Sequence, residues 1–410
     1  MPKVIDIYIM KSVPAFIERP HYVDKVKPFI GKGILKIFTG QRRVGKSYLL
    51  FQIMQHIRNE NADAKIIYIN KEDLEFSSIK TAEDLNEYVV FNRSEIGKTY
   101  VFIDEIQDIA HFETALRSLL LDENLDLYCT GSNANLLSGD IAGYLSGRYI
   151  EITVYSLSYT EFLQFHNLEN SNKSLDLFMK YGGLPYLKHL PLEDAVVFEY
   201  LKNIYSTIVY RDIINRYAIR NVVFLEQLVL FLAQNTGSIF SAKKISDFLK
   251  SQKINIAPNQ VQVYVHHLTS AFLLHKVTRY DMVGKRVFEI GDKYYFENLG
   301  IRNGIWGYRL EDRGKIMENI VYNHLIFKGY AVKVGILHDK EIDFIAEKNG
   351  EKIYVQAALS INEEKTLERE FGNLMAIDDN YPKIVVTLEA FSGASYKGIQ
   401  STDLKSFLTS

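Results

Sequence analysis

The sequence predicts an α/β protein that begins with a mostly parallel sheet covered by helices on both faces. Short apolar runs alternate with segments of helical spacing from residue 34 to residue 154, and such alternation is typical of parallel sheets. A helical region follows, and a second pattern of strands and helices closes the chain. These changes of pattern predict domain segments at 1–155 (with a lead-in helix before residue 30), 156–222, 223–300 and 301–410.

Composition and charge exclude several classes of protein. The 410 residues exceed one ordinary core, so two or three domains are expected. Hydrophobic residues make up 47% of the chain, as in soluble globular proteins, and a net charge of −2 gives no overall attraction to nucleic acid or anionic membrane. No apolar stretch approaches the roughly 20 residues of a membrane helix. The N-terminus does not read as a signal peptide, and the single cysteine, Cys129, fits a reducing compartment, so we expect a cytoplasmic protein.

The predicted strands of the first domain end in residues suited to a ligand site. The run at 34–38 leads into a glycine-bearing loop, the run at 100–105 ends in two acids, and the run at 125–131 is followed by polar side chains. Because ligands bind at the carboxyl ends of parallel strands, we expect these ends to form one site. Strands are predicted at 34–38, 65–70, 100–105, 125–131 and 149–154.

The segment after the first strand carries the pattern G-x-x-x-x-G-K-S. Glycines allow the backbone to turn its N–H groups inward around phosphates, and the following helix adds its positive dipole end. Lys46 would then reach the β- and γ-phosphates, and the Ser47 hydroxyl would ligate Mg²⁺. Arg42 or Arg43 is a further candidate for contacting phosphate or the adenine side. The predicted nucleotide-binding residues are Gly40, Gln41, Arg42, Arg43, Val44, Gly45, Lys46, Ser47 and Tyr48.

Two acids, Asp104 and Glu105, end the predicted strand at 100–105. In an ATPase the first such carboxylate holds Mg²⁺, usually through a water, and the second orients and deprotonates the attacking water. We therefore predict Asp104 and Ser47 as metal ligands, and Glu105 as the catalytic base beside the catalytic Lys46. The alternative is that both acids only terminate a strand.

Further polar residues follow the next strands. Thr130, Ser132 and Asn133 end one strand, and a side chain there could contact the γ-phosphate or the attacking water, with Ser132 as our candidate. A turn with a helix cap is the alternative. Arg148 precedes the strand at 149–154 and could stabilise transition-state charge, in its own subunit or as a finger into a neighbour. A surface salt bridge is the alternative for this arginine.

These motifs together resemble a large microbial family of AAA-type ATPases. Two later segments belong to the same resemblance, although Ser156 stands where members commonly have proline. The resemblance implies ATP rather than GTP, Mg²⁺, and the usual roles for the loop lysine, the loop serine and the two acids. The segments that carry it are Gly40–Ser47, Phe102–Gln107, Thr130–Asn133, Leu145–Tyr149 and Leu157–Phe162.

The second half looks like the domain of unknown function that typically follows this ATPase. The segments Tyr210–Ile213, Tyr294–Asn303 and Glu341–Phe344 carry this part of the resemblance. They are shorter and less specific than the phosphate-binding loop. They therefore support the family more than any particular chemistry.

The segment 223–300 has the element order of a winged helix. Helical runs precede two strand-like segments, 274–280 and 286–290, which we predict to form a hairpin. Basic residues on and near these elements could contact DNA, but such residues commonly only solvate a surface, and winged helices also bind proteins. The basic residues are Lys243, Lys244, Lys250, Lys253, Lys276, Arg279, Lys285 and Arg286.

The segment 301–410 has part of a restriction-nuclease-like metal site. Such a site needs an acid on a helix, an acid on a strand and E-x-K on the next strand, where the carboxylates hold Mg²⁺ and the lysine helps to activate water. Glu318 and Asp343 have suitable positions, but Gln356-Ala357-Ala358 stands where E-x-K is expected. Glutamine is a poorer metal ligand than a carboxylate, and alanine carries no charge. We predict a nuclease-like fold that does not cut; otherwise both acids are ordinary helix and strand-edge residues.

The sequence leaves two functional hypotheses. In the first, an ATP-hydrolysing domain moves the C-terminal half, which engages DNA or a protein partner as a switch. In the second, ATP is structural or slowly exchanged, and the C-terminal half is a non-catalytic scaffold for nucleic acid or protein. Association into a homo-oligomer is left open, and with it the choice between a role of Arg148 in its own subunit and one across an interface.

Overall fold

A computed structural model describes the chain at residues 14–137, 143, 145, 147–239, 241–284, 291–338, 340–361, 364–389 and 395–410. The chain divides into two compact units, Met1–Val154 and Tyr155–Ser410. The predicted subdivision of the second half, at residues 222 and 300, stays a prediction.

A parallel sheet forms the centre of the first unit. Its strands within the described residues are β1 (Leu35–Thr39), β2 (Lys65–Asn70), β3 (Thr99–Asp104), β4 (Leu125–Gly131) and β5 (Tyr149–Thr153). The strand order is β2-β3-β4-β1-β5, and every neighbouring pair is parallel. This arrangement confirms the predicted parallel sheet. Because β4 lies between β1 and β3, the carboxyl ends of these three strands are adjacent at one edge.

Helices of the first unit begin where the sequence supplies caps and turns. One starts at a capping box, where the Thr81 hydroxyl accepts from the Asp84 N–H and the Asp84 carboxylate accepts from the Thr81 N–H. Apolar side chains of the later helices pack against the buried sides of the strands. The described helices are α1 (Pro20–Val26), α2 (Lys46–Glu60), α3 (Ala82–Asn92) and α4 (Phe112–Leu119).

An ion pair inside this sheet explains a charged residue in an apolar strand. The ammonium of Lys36 on β1 lies 2.5 Å from the carboxylate of Asp126 on β4, and both side chains are fully buried. The Tyr128 hydroxyl also donates to Asp126, over 2.6 Å. Burial lowers the pKa of Lys36, and the carboxylate opposes this shift. Each charge is thus tolerated because its partner is present.

The second unit begins with helices. One starts at a capping box in which the Ser158 hydroxyl and the Glu161 carboxylate each accept from the other residue's backbone N–H. Residues Ile208–Asn215 form a π-helix that continues α7. The described α-helices are α5 (Tyr159–His166), α6 (Asn172–Tyr181), α7 (Asp194–Thr207), α8 (Val222–Gln234), α9 (Ala242–Ser251), α10 (Pro258–Ser270), α11 (Leu299–Trp306), α12 (Arg313–Phe327), α13 (Glu364–Met375) and α14 (Leu404–Thr409).

Strands of the second unit form a mixed seven-stranded sheet and a separate antiparallel pair. The described strands are β6 (Leu274–Val277), β7 (Arg279–Asp281), β8 (Lys293–Phe296), β9 (Ala331–Leu337), β10 (Lys340–Lys348), β11 (Glu351–Ala358), β12 (Lys383–Thr387), β13 (Ser395–Tyr396) and β14 (Ile399–Asp403). The large sheet has the order β13-β14-β12-β11-β10-β9-β7, and β6 pairs with β8. α12 and α14 pack on one face of the large sheet, and α13 packs on the other.

The strand pairing differs from the predicted hairpin. The segment predicted as one strand, 274–280, is split between β6, which pairs antiparallel with β8, and β7, which runs parallel to β9. The predicted partner strand, 286–290, lies outside the described residues. Strands β13 and β14 and helix α14 follow β12 along the chain.

None of the helices in the described part of the chain combines the length and the apolar character that a membrane span needs.

Candidate nucleotide site

The two glycines of the phosphate-loop motif adopt backbone conformations that favour glycine. Gly40 has φ +144, and a Cβ at this position would lie 2.2 Å from the carbonyl oxygen of Val154. Gly45 has φ 97 and caps the N-terminus of α2. A side chain at Gly40 would both strain the backbone and collide with a neighbouring strand end. The loop therefore has the tight turn and close packing that its glycines predict.

Lys46 projects into the loop that precedes it. Its ammonium group donates to the backbone carbonyls of Gly40 and Gln41, over 2.9 and 3.0 Å, and the residue is 5% exposed. The first N–H groups of α2, a helix of 15 residues, point toward the same space, together with the positive end of the helix dipole. Loop, lysine and helix end together fit the phosphate groups of a nucleotide.

Asp104 connects three strands at the same edge of the sheet. Its carboxylate accepts hydrogen bonds from the Thr130 hydroxyl on β4 and, at 3.2 Å, from the Tyr68 hydroxyl on β2. Ser47 of the loop also hydrogen-bonds to it. Burial raises the pKa of Asp104 and the charge of Glu105 adds to this, while the hydrogen bonds of Ser47 and Thr130 oppose it. Ser47 and Asp104, the predicted metal ligands, are therefore in contact, and their oxygens suit Mg²⁺.

Glu105 sits beside Asp104 in a left-handed backbone conformation. Its φ is 58, a value that non-glycine residues adopt infrequently. Its backbone N–H donates to the Thr130 hydroxyl over 2.9 Å, and its carboxylate accepts a hydrogen bond from the side-chain amide of Gln107. The same amide nitrogen lies 3.5 Å from the hydroxyl of Ser132, which is fully buried. The structure thus brings the acids of β3 and the polar residues after β4 together.

The remaining loop residues differ in their surroundings. Arg42 is buried and its guanidinium lies 3.4 Å from the carboxylate of Glu72. Arg43 is exposed and has φ 71. Val44 is buried, and Tyr48 is 47% exposed at the start of α2. Of the two arginines, Arg43 therefore has the greater freedom to reach a ligand.

Arg148 is not brought to this edge of the sheet. Its carbonyl oxygen accepts from the Leu35 N–H at the first residue of β1, over 3.1 Å, and its side chain is exposed. The loop follows the last residue of β1, so the length of a five-residue strand, about 16 Å, separates the two positions. A role for Arg148 within its own phosphate site gains no support from this position, and a role toward a neighbouring subunit stays a prediction.

One sequence match competes with the implied preference for ATP. Asn70-Lys71-Glu72-Asp73 has the N-K-x-D spacing of a guanine-reading motif. In the structure the Asn70 side chain accepts from the Glu72 N–H over 2.9 Å, and Lys71 donates to the carbonyls of Phe76 and Ile79. Asp73 caps a short 3-10 helix. These side chains stabilise the turn after β2, so the match does not indicate a guanine site.

Some residues at the site carry no recognisable signal in the sequence. Arg19 in the lead-in segment is buried, and its guanidinium donates to the Val44 carbonyl of the loop over 2.9 Å. Its backbone N–H donates to Gln52 of α2 over 2.8 Å, and its guanidinium lies over the Tyr22 ring. No sequence spacing predicts this contact, because it depends on how the lead-in packs against α2.

A second charged cluster lies in the other unit, around the acids of the predicted nuclease-like site. Lys293 of β8 is 3% exposed, and its ammonium lies 2.7 Å from Glu318 of α12 and 2.8 Å from Glu341 of β10. The Tyr295 hydroxyl also donates to Glu318, over 2.6 Å. Burial alone would lower the pKa of Lys293, but the charges of Glu318, Asp343 and Glu341 outweigh it and raise that pKa. The cluster therefore contains its own buried cation, which sequence spacing did not reveal.

Asp343 is bound by the residues that replace E-x-K. Its carboxylate accepts from the Ala357 N–H over 2.8 Å, and its own N–H donates to the Gln356 side chain over 3.2 Å. Burial raises the pKa of Asp343 well above its ordinary value, the charge of Glu318 adds to the shift, and Lys293 opposes it. Within the described residues, no group of three or more His, Cys, Asp or Glu side chains could hold a metal ion.

Two segments of the chain match models of known protein families. Residues 33–163 match the model of a family described as "AAA domain", and residues 172–311 match a domain of unknown function (DUF8612). The fold and the loop thus define an AAA-type ATPase-family protein followed by a domain of unknown function, as the sequence resemblance had implied.

Curated relatives are similar to this chain over most of their length. An uncharacterized protein of Haemophilus influenzae is 36% identical over 394 residues, which cover 94% of this chain and 97% of the relative. The chain belongs to the same family as that protein. The uncharacterized protein MJ1544 of Methanocaldococcus jannaschii is 29% identical over 347 residues, covering 80% of this chain and 75% of that protein.

Solved structures show only distant similarity. The ORC1 protein of Aeropyrum pernix, solved in complex with DNA, is 11% identical, with a TM-score of 0.31 over 72% of this chain and 94% of that one. PCH-2 of C. elegans is 14% identical, with a TM-score of 0.28 over 61% of this chain and 65% of that one. Similarities at this level support no argument about the function of this chain.

Proposed function

We propose that the first unit binds ATP with Mg²⁺ and hydrolyses it. The observation that carries the proposal is the contact between Ser47 of the loop and Asp104 of β3, beside Glu105 and the loop ammonium of Lys46. Four side chains that ATP hydrolysis needs are thereby assembled at the carboxyl ends of adjacent parallel strands.

Each of these residues has a role that follows from its chemistry. Lys46 exchanges its bonds to loop carbonyls for bonds to the β- and γ-phosphates. Ser47 and Asp104 supply oxygen ligands for Mg²⁺, which when bound neutralises charge on the phosphates. Glu105 accepts a proton from the attacking water as its oxygen bonds to the γ-phosphorus, the bond to the ADP oxygen breaks, and the proton later passes to solvent. The Thr130 hydroxyl fixes the two acids relative to each other, because it donates to the Asp104 carboxylate and accepts from the Glu105 backbone N–H.

Substitution of Lys46 tests whether the loop binds nucleotide. Lys46→Ala removes the buried ammonium, so ATP binding measured by titration calorimetry is expected to fall by at least 100-fold, or about 2.7 kcal/mol. Lys32→Ala is the matched control, because Lys32 is an exposed lysine shortly before β1, and it should bind as the wild type does. Equal affinities for ATP in the two variants would contradict the proposed site.

The second unit, in this proposal, responds to the nucleotide by engaging DNA or a protein. Support for DNA is limited to exposed lysines on and after α9, Lys243, Lys244, Lys250 and Lys253. Stimulation of phosphate release by duplex DNA, with a steep dependence on salt, would support a DNA partner. Release that no DNA raises at any ionic strength would argue against it.

A scaffold with slowly exchanged ATP remains the competing function. A tightly bound nucleotide with no measurable turnover, alone or with DNA, would favour it. Cleavage by the second unit is not expected, because Gln356 and Ala357 are engaged with Asp343 and the ammonium of Lys293 occupies the space between the neighbouring acids. Plasmid cutting with Mg²⁺ or Mn²⁺ that depends on Asp343 would overturn this expectation.

Light scattering tests the proposed role of Arg148 across an interface. Its exposed side chain at the amino ends of the strands is placed to meet another molecule rather than its own loop. An oligomer that forms only with ATP, together with loss of turnover in Arg148→Ala, would support the trans role. A monomer with and without ATP would exclude it.

A further inference from the structure

Gln107 lies in the turn directly after the two acids of β3. The short 3-10 helix Ile106–Asp108 begins at Glu105, whose left-handed backbone reverses the chain. As a result, the side chain of Gln107 folds back onto the carboxylate of Glu105 and donates a hydrogen bond to it through Nε2. An amide nitrogen carries two hydrogens, and the second points to the Ser132 hydroxyl at 3.5 Å. One amide thus joins the end of β3 to the residue after β4.

The space for this amide depends on a glycine. A Cβ at Gly131 would lie 1.8 Å from Leu136 Cδ1 and 2.8 Å from the amide oxygen of Gln107. Glycine at the last residue of β4 therefore leaves room for the amide oxygen of Gln107, and a larger residue would displace the ends of the Leu136 and Gln107 side chains. The chain thus makes room for an amide at this point of the site.

The amide oxygen of Gln107 is left without a partner. It is buried, and it has no hydrogen-bond donor among the described residues. A buried acceptor in this state costs free energy unless a ligand or a water donates to it. Because both amide atoms belong to one planar group, a water that donated to this oxygen would be bound by the same amide that holds the carboxylate.

We propose that Gln107 positions Glu105 for hydrolysis and holds the water that Glu105 activates. The amide nitrogen fixes the orientation of the carboxylate, and the amide oxygen accepts the hydrogen of the water that the carboxylate does not take. The inference deepens the proposed ATP hydrolysis and rests on it. Both contacts serve the proton transfer from that water to Glu105, so loss of Gln107 slows the chemical step without weakening the binding of ATP.

The test compares Gln107→Leu with the wild type, in full-length protein with Mg-ATP. Leucine keeps the approximate size and removes both polar atoms, so kcat should fall by about 10- to 100-fold, less than the roughly 100-fold or more of a lost general base, with KM unchanged. Gln107→Glu keeps an acceptor but places a second negative charge against Glu105, and should be slowed as strongly. A residue with only a structural role would instead change KM, ATP affinity and folding together.

A double-variant comparison separates this inference from the proposed function. If Gln107 acts through Glu105, adding Gln107→Leu to Glu105→Gln should lower kcat by less than about twofold further. Full additivity of the two losses, or a wild-type kcat in Gln107→Leu when Glu105→Gln is inactive, overturns this inference alone. A wild-type kcat in Glu105→Gln removes the proposed base, and the inference fails with it.

Discussion

Replacing Lys293 by Met should destabilise the second unit far more than an ordinary surface substitution. The side chain is 3% exposed and its ammonium bonds both Glu318 and Glu341. Methionine keeps the apolar stem but leaves Glu318 with the Tyr295 hydroxyl, and Glu341 with the Arg279 guanidinium at 3.8 Å. Removing one partner of a buried ion pair typically lowers the free energy of unfolding by about 3–5 kcal/mol. Because both carboxylates are partly exposed, we expect the lower end, about 3 kcal/mol.

Denaturant unfolding can measure this loss in the relevant unit. The single tryptophan of the chain, Trp306, lies on α11, so its fluorescence reports on the second unit. Lys276→Met is the matched control, since Lys276 makes a half-exposed ion pair with Asp292 at 3.0 Å and should lose at most about 1 kcal/mol. A loss for Lys293→Met no larger than that of the control would refute the interpretation of Lys293 as the buried cation of the acidic cluster.

Two further variants test the pKa of Asp343 and the packing of the lead-in segment. Because burial raises the pKa of Asp343 in the folded state, its contribution to stability is most favourable below the unfolded value of about 3.9 and is lost as pH rises above it. Asp343→Asn should therefore gain stability relative to the wild type as pH rises above about 4, and a pH-independent difference in unfolding midpoint would contradict this. Arg19→Met removes the bond to the Val44 carbonyl, and the loosened loop should bind ATP about 10-fold more weakly, or about 1.4 kcal/mol. The exposed Lys25→Met is its control, and equal dissociation constants for the two would show that Arg19 does not support the loop.

The sequence predicts the first unit well because its signals are local. Each strand is a short apolar run, and the loop pattern fixes where β1 ends and α2 begins. The polar ends of β3 and β4 meet because parallel strands share one carboxyl edge. This general rule places Asp104, Glu105 and Ser132 at one edge of the sheet, and the position of β4 between β1 and β3 brings them into contact.

The positions that the sequence did not reveal depend on contacts between distant segments. Arg148 is an exception, because it directly precedes β5 and the common direction of parallel strands is enough to place it at the amino edge, far from the loop. Lys293 reaches the acidic cluster from β8, and Arg19 reaches the loop from the lead-in. The pairing of β6 with β8 was likewise not predicted, because the hydrophobic pattern of a short strand does not specify which neighbour it joins.

Phosphate release by the Glu105→Gln variant tests the central claim most directly. Glutamine keeps the size of the side chain and its contacts but cannot accept the proton from water, so the variant should still bind Mg-ATP with wild-type affinity. At saturating ATP its rate of phosphate release should fall by at least about 100-fold, within the range of a lost general base. Release at the wild-type rate would contradict the assignment of this strand end as the site of ATP hydrolysis.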